Sequence, residues 1–128
     1  METLTKKYLQ LEDLEVYNRS FDLSNKVWDL VVEWNYLAQN TVGSQLVRSI
    51  DSVSANVAEG FGRFGKKDKI KFYRISRASV LESKDWLNKS VARKLITKET
   101  HSEIITELEK LPKLLNGLIK ITNDKLKL

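Results

Sequence analysis

The chain has 128 residues, 41% of them hydrophobic, with no cysteine, one histidine (His101) and a formal net charge of +5 at pH 7. That length holds one domain with a real core but not a comfortable two-domain enzyme. The lack of cysteine excludes disulfides, thiolate catalysis and the common zinc frameworks, and one histidine cannot build a histidine-rich metal site. No stretch approaches the roughly 20 uninterrupted apolar residues of a membrane span. The start METLTKKYLQLED lacks the apolar run of a signal peptide, so a cytoplasmic protein without a membrane partner is expected.

Only Pro112 and five glycines interrupt the chain, and helical periodicity dominates over strand alternation. Residues 1–11 read as a flexible N-terminal segment. The first helix is expected over about 12–39. Tyr17, Phe21, Ser24, Trp28, Val31, Asn35 and Ala38 form one stripe of it; Val16, Leu23, Val27, Leu30, Trp34 and Leu37 form a second. Two stripes make a face wider than one core contact needs, which is compatible with a broad internal core face or with a subunit interface. Asn40–Thr41–Val42–Gly43–Ser44 reads as a turn rich in capping residues.

The second helix is expected over about 42–59, with an apolar seam of Leu46, Ile50, Val53 and Val57. Beside it runs a polar seam of Ser49, Ser52, Asn56 and Glu59, which extends by four to Arg63. The third helix is expected over about 67–94, with Phe72, Ile75, Ser79, Glu82 and Trp86 on one face, broadened by Ile70, Tyr73, Val80 and Leu87. The fourth, over about 98–124, is capped by Thr97 or Thr100 and carries a core stripe of Ile104, Leu108, Leu111, Leu115, Leu118 and Thr122. Pro112 deletes one backbone hydrogen bond there and predicts a single kinked helix. Residues 125–128 form a tail. Four amphipathic segments with short links predict an all-α, antiparallel up-down-up-down four-helix bundle.

The stretch Gly60–Phe61–Gly62–Arg63–Phe64–Gly65 is literally G-x-G-x-x-G, but it follows a helix rather than a strand, so it does not read as a nucleotide fingerprint. Gly60 suits a left-handed position at the end of a helix. Small residues on helices two and three, among them Ser52, Ser76, Ala78, Ser79 and Ser83, predict close packing that brings Asn56 and Glu59 near Ser79 and Arg77. Residues 60–77 then hold seven basic side chains against Asp68, a local net charge of +6, while the other 110 residues sum to about −1. Such asymmetry points to an acidic partner, nucleic acid foremost, unless the run is only a solvated helix face. Arg63, Lys66, Lys67, Lys71 and Arg74 are the candidate phosphate contacts. Phe61, Phe64 and Tyr73 are interleaved aromatics, each better explained by packing than by base stacking.

The segments VRSIDSVSANVAEGFGR, KKDKIKFYRISRASVLES and LLNGLIKI resemble the bacterial four-helix-bundle family named after 23S ribosomal RNA intervening sequences, and its relatives, the accessory variability proteins of diversity-generating retroelements. The resemblance spans about residues 14–122. It implies a ring-shaped homopentamer. For the retroelement relatives it implies a basic surface offered to nucleic acid beside a reverse transcriptase. The family's marked positions fall on Arg48, Asn56, Ala58, Glu59, Gly60, Gly62, Arg63, Phe72, Ser79 and Glu82. Lys69, Ala78, Ser54 and Pro112 depart from its usual residues.

Arg48, Asn56, Glu59, Gly60, Gly62, Arg63, Ser79 and Glu82 are accordingly expected as a structural polar corner. An enzyme is not expected. Glu59 and Glu82 facing one another would be a possible metal or acid-base pair, but the Glu-x-x-His motifs of di-iron bundles are absent, and no metal or cofactor is called for. The expected function is a non-enzymatic, homo-oligomeric accessory protein that binds structured RNA or an RNA-containing complex. The alternative is a protein scaffold with an acidic protein partner.

Overall fold

A computed structural model describes residues 8–126 of the chain. Among them there are four helical segments of a bundle and no strand. The expected flexible segment lies outside the described residues for 1–7, and the expected tail does so for 127–128. A 3-10 turn, Leu11–Asp13, leads in, with the Gln10 amide donating to Asp13 Oδ2 at 2.8 Å. Helix α1 then spans Glu15–Val31.

The first helix therefore ends eight residues before the expected boundary at Gln39, and the expected turn at 40–44 is helical. Asn35 caps a new helix, its side chain accepting from the Ala38 amide at 3.0 Å. α-Helical Tyr36–Ala38, a π-helical turn Gln39–Gly43 and α-helical Ser44–Gly62 follow without a break, and together they form α2 (36–62). Gln39 Nε2 donates to the carbonyls of Val31 and Val32 at 3.1 and 2.9 Å and so satisfies the frayed end of α1. Gly43 makes no turn. It has helical dihedrals, and a Cβ there would lie 2.8 Å from Val31 Cγ1, so glycine lets α2 close on α1.

Helix α3 spans Lys66–Ala92. Its end is a Schellman motif: the Leu95 amide donates to Ser90 O at 2.8 Å and the Lys94 amide to Val91 O at 3.1 Å. This places Lys94 at φ 60°, the one positive-φ residue among those described. A side chain in that conformation costs about 1 kcal/mol or more. Lys94→Gly is therefore expected to stabilise the fold by about 0.5–1 kcal/mol, read as a higher urea midpoint with an unchanged slope.

Thr97 rather than Thr100 caps the fourth segment, accepting from the Thr100 amide at 3.0 Å. That segment is two helices, not one kinked helix: α4, Lys98–Leu108, and α5, Leu111–Lys125. Pro112 sits in the first turn of α5, where its missing N–H is least felt, and the turn Glu109–Lys110 absorbs the break.

Neighbouring helices run antiparallel around the core. Ser76, Ser79 and Ser83 of α3 meet Val53, Ser52 and Ser49 of α2 in reverse order. Arg77 reaches Asn116 and Lys84 reaches Glu109 across to the fourth segment, and Arg19 pairs with Glu107 to close the ring of contacts. Leu46, Ile50, Val53 and Val57 are all at most 1% exposed, as their seam predicts. The core face of α3 is different from the first stripe read from its sequence. It comprises Ile70, Tyr73, Ser76, Ser79, Val80, Ser83 and Leu87, whereas Ile75 and Glu82 are exposed. Buried serines let α2 and α3 pack closely, and each hydroxyl finds an oxygen partner; among the described residues no buried side-chain polar atom is left unpaired. No described helix is long and apolar enough to cross a membrane.

Candidate nucleic-acid interface

The chain reverses between α2 and α3 over Arg63–Phe64–Gly65, and the backbone chemistry of this corner differs from the glycine reading. Gly60 is inside α2, with no left-handed dihedral. A Cβ on it would meet Tyr73 Cε1 at 2.7 Å and Lys69 O at 3.0 Å, so the position is small because the ring of α3 lies against the backbone of α2. Burial of that ring pushes the Tyr73 phenol up to about 12. Gly62 has open space around it. Arg63 leaves the helix with an extended backbone.

Lys69 ends α2 chemically. Its Nζ donates to Phe61 O at 2.7 Å and Gly60 O at 3.4 Å, and it lies 5.5 Å from the centre of the Phe61 ring. A cation on the orphan carbonyls of a helix C-terminus is favourable both as hydrogen bond and as charge. Partial burial lowers its pKa. No sequence pattern marks this role, since it depends on α3 folding back across the end of α2.

The expected polar corner is only partly assembled. Asn56 Nδ2 donates to Ser52 O and Oγ at 2.8 and 2.7 Å, and the Ser79 hydroxyl sits 2.9 Å from that of Ser52. Glu59 pairs with Arg63 at 3.0 Å, but both side chains are more than 40% exposed, so this carboxylate is not enclosed. Arg77 turns instead to Asn116. Glu82 accepts from Trp86 Nε1 at 3.1 Å, one helix stretch away. The pairings of Gly60 with Tyr73 and of Ser49 with Ser83 put Glu59 and Glu82 roughly 15 Å apart along the α2–α3 seam. They do not face one another. Arg48 is exposed and lines a hollow with Trp28, Val32 and Val47, away from the corner. Among the described residues no group of three or more His, Asp or Glu side chains is placed to hold a metal.

Four of the five candidate phosphate contacts share one feature. Lys66, Lys67, Lys71 and Arg74 line an open groove of about 880 Å³ along the start of α3, floored by Ile70, Ile75 and Ala78 and met by Asn123 of α5. Helical spacing of three and four puts these cations on one side. Lys66 Nζ donates to Asn123 O at 3.4 Å and ties the groove's two walls together. Among the described residues no carboxylate lines it. The first amides of α3 open here too, without a side-chain cap, adding partial positive charge.

Arg63 stands outside the groove, its guanidinium 4.6 Å above the Phe72 ring, which Lys71 approaches from 5.8 Å. Of the interleaved aromatics, Tyr73 is core at 1% exposure and Phe61 packs against the core. Phe64, expected to pack as well, is 84% exposed, because the extended corner carries it away from both helices. The apolar floor and Asn123 were missed by sequence reasoning. The floor was visible as the spacing of Ile70, Ile75 and Ala78 among the basic residues, whereas nothing local to Asn123 announces its place.

The model of the 23S rRNA-intervening sequence protein family matches residues 12–117. A crystal structure of a protein of unknown function from the S23 ribosomal protein family of Bacteroides thetaiotaomicron has the same fold, with a TM-score of 0.73 at 24% identity, covering 82% of this chain and 98% of that one. No curated protein matches the sequence. With the helices, the corner between α2 and α3, and most of the chain accounted for by one family model, the protein belongs to the 23S rRNA-intervening sequence protein family.

Proposed function

We propose that this protein is a non-enzymatic accessory protein that binds nucleic acid, structured RNA or an RNA-containing complex, along the basic groove at the start of α3. The observation that carries the reading is the convergence of Lys66, Lys67, Lys71 and Arg74 on one groove that no carboxylate lines among the described residues. Such a surface meets phosphates and reads backbone rather than sequence. Phe64, two residues before Lys66 and fully presented, adds a ring on which an unpaired base can stack. Four phosphate contacts per subunit give modest affinity, and assembly repeats the patch.

The family resemblance supports a ring-shaped homopentamer. An outward stripe on α1, Phe21 and Trp28 at 47% and 55% exposure, with Val32 just past its end, beside the hollow shared with Val47 and Arg48, supplies an apolar face for it. A reverse transcriptase or another protein of the same complex is a further proposed partner, and the cytoplasm the proposed location. The alternative, a scaffold for an acidic protein segment, draws on the groove's floor of Ile70, Ile75 and Ala78, which suits apolar side chains between carboxylates.

Fluorescence anisotropy with a labelled RNA hairpin across a salt series tests the reading. Affinity is expected to fall steeply with salt, with a log–log slope of about −3 to −4 for four phosphates met per subunit. Charge reversal of Lys66, Lys67, Lys71 and Arg74 to Glu is expected to remove binding and flatten the slope. Binding indifferent to salt or to these changes overturns the reading. Capture of a protein partner that survives nuclease, with no RNA bound, favours the scaffold. Light scattering tests the ring, and a clean monomer overturns it.

A further inference from the structure

The outward face of α3 carries residues that the core does not explain. Leu81 is 71% exposed and Ile75 39%, with Ala78 exposed between them. Lys71, Arg74, Ala78, Leu81 and Asp85 recur at spacings of three and four, the rhythm of a helix seam that meets another helix. The charges along this seam are ordered. Lys71 and Arg74 lie toward the start of the helix, Glu82 and Asp85 toward its end, and the apolar residues lie in the middle.

Between Lys71 and Asp85 the order is symmetric about Ala78. A two-fold axis through Ala78, relating two copies of α3 side by side and antiparallel, sets Lys71 of each against Asp85 of the other. It also sets Arg74 against Glu82 and Ile75 against Leu81. Ala78 meets its own copy on the axis, where a small residue permits close approach. The arrangement repeats every complementary pair twice, as an isologous contact requires. The geometry points to a second copy of this chain as the occupant of the outer α3 face, in an antiparallel α3–α3 pair centred on Ala78.

The side chains are free to do this. Lys71 and Arg74 make no ion pair among the described residues. Among the described residues Glu82 and Asp85 have partners within α3 alone: Trp86 Nε1 at 3.1 Å from Glu82, and Lys89 at 2.6 Å from Asp85, whose side chain stays 58% exposed. A single helix face per copy falls below the area of a standard stable interface, so the pair is weak, sensitive to salt and populated at high protein concentration. This contact is separate from the α1 stripe proposed for the ring. Its one link to the nucleic-acid reading, on which this clause alone rests, is exclusion: pairing covers Lys71 and Arg74, so bound RNA and the α3 pair compete.

Two charge variants decide it. In K71E/R74E each of the four charge contacts of the pair becomes acid against acid; in E82K/D85K each becomes base against base. Each variant alone is expected to self-associate through α3 at least about ten-fold more weakly than the native chain, measured by sedimentation velocity up to about 1 mM. An equimolar mixture of the two regains all four attractive contacts and is expected to sediment with greater mass than either variant alone, reaching the native profile. Circular dichroism confirms that both exposed-site variants keep their helices. A mixture that sediments no faster than its components, or a native chain that shows no concentration dependence beyond its ring, overturns the proposal. E82K/D85K leaves Lys66, Lys67, Lys71 and Arg74 in place, so its RNA binding reports on the groove independently of pairing.

Discussion

Gly60→Ala is expected to lower the unfolding free energy by about 1–3 kcal/mol, even though alanine is the better helix residue by about 1 kcal/mol. The added methyl enters space already held by Tyr73 Cε1 at 2.7 Å and Cδ1 at 2.9 Å, with Lys69 O behind them at 3.0 Å. Two of these atoms belong to a ring that is itself 1% exposed and so cannot swing away, and the third is backbone. The helices must separate, and separation also loosens Lys69 from the carbonyls of Gly60 and Phe61 that it caps. Gly62→Ala is the internal control: same helix, nothing within 4 Å, and an expected gain of a few tenths of a kcal/mol. Urea unfolding followed by circular dichroism separates the two. Equal effects at both positions would mean that Gly60 is set by backbone freedom and not by the ring.

Ser83→Leu is expected to be costlier, about 3–5 kcal/mol, and to abolish cooperative unfolding at the upper end of that range. Ser83 is 0% exposed. Its hydroxyl donates to Ser79 O at 2.8 Å and lies 3.0 Å from that of Ser49 on α2. Leucine both overpacks a close-packed stretch of the α2–α3 seam and deprives the buried Ser49 of its cross-helix neighbour. Ser83→Ala keeps the spacing and loses only the hydroxyl, for which about 1 kcal/mol is expected. A thermal series over Ala, Val and Leu should therefore fall steeply with side-chain volume. A flat series would show that the serines serve hydrogen bonding alone and that the helices have room to spare.

These two sites mark where sequence reasoning reached and where it stopped. The seam of α2 and the stripe of α4 and α5 were legible because their apolar residues repeat at helical spacing and end up inside. The core face of α3 was half legible: serine is polar in any composition count, and only the close approach of α2 makes Ser76, Ser79 and Ser83 interior residues. The end of α1 was misplaced because Trp34, Leu37 and Ala38 continue its two stripes, while the true signal, Asn35 acting as a cap, is one residue among many capable of it. The four groove cations were legible as a charge run on a helix. The pairing of Arg63 with Glu59 was legible as a spacing of four; that its guanidinium lies over the Phe72 ring was not, because its direction follows from the extended backbone at the corner.

The sequence by itself determined the four amphipathic segments, the segment that concentrates positive charge and the family, since each of these is written in local spacing and residue type; that the fourth segment is two helices it did not determine. The tertiary structure decided why Gly43 and Gly60 are glycines, which serines are buried, what Lys69 caps, and that α3 turns a symmetric, unpartnered face outward. All four depend on which atoms of distant segments come within a few ångströms, and side-chain periodicity along one helix carries no information about the distance to the next.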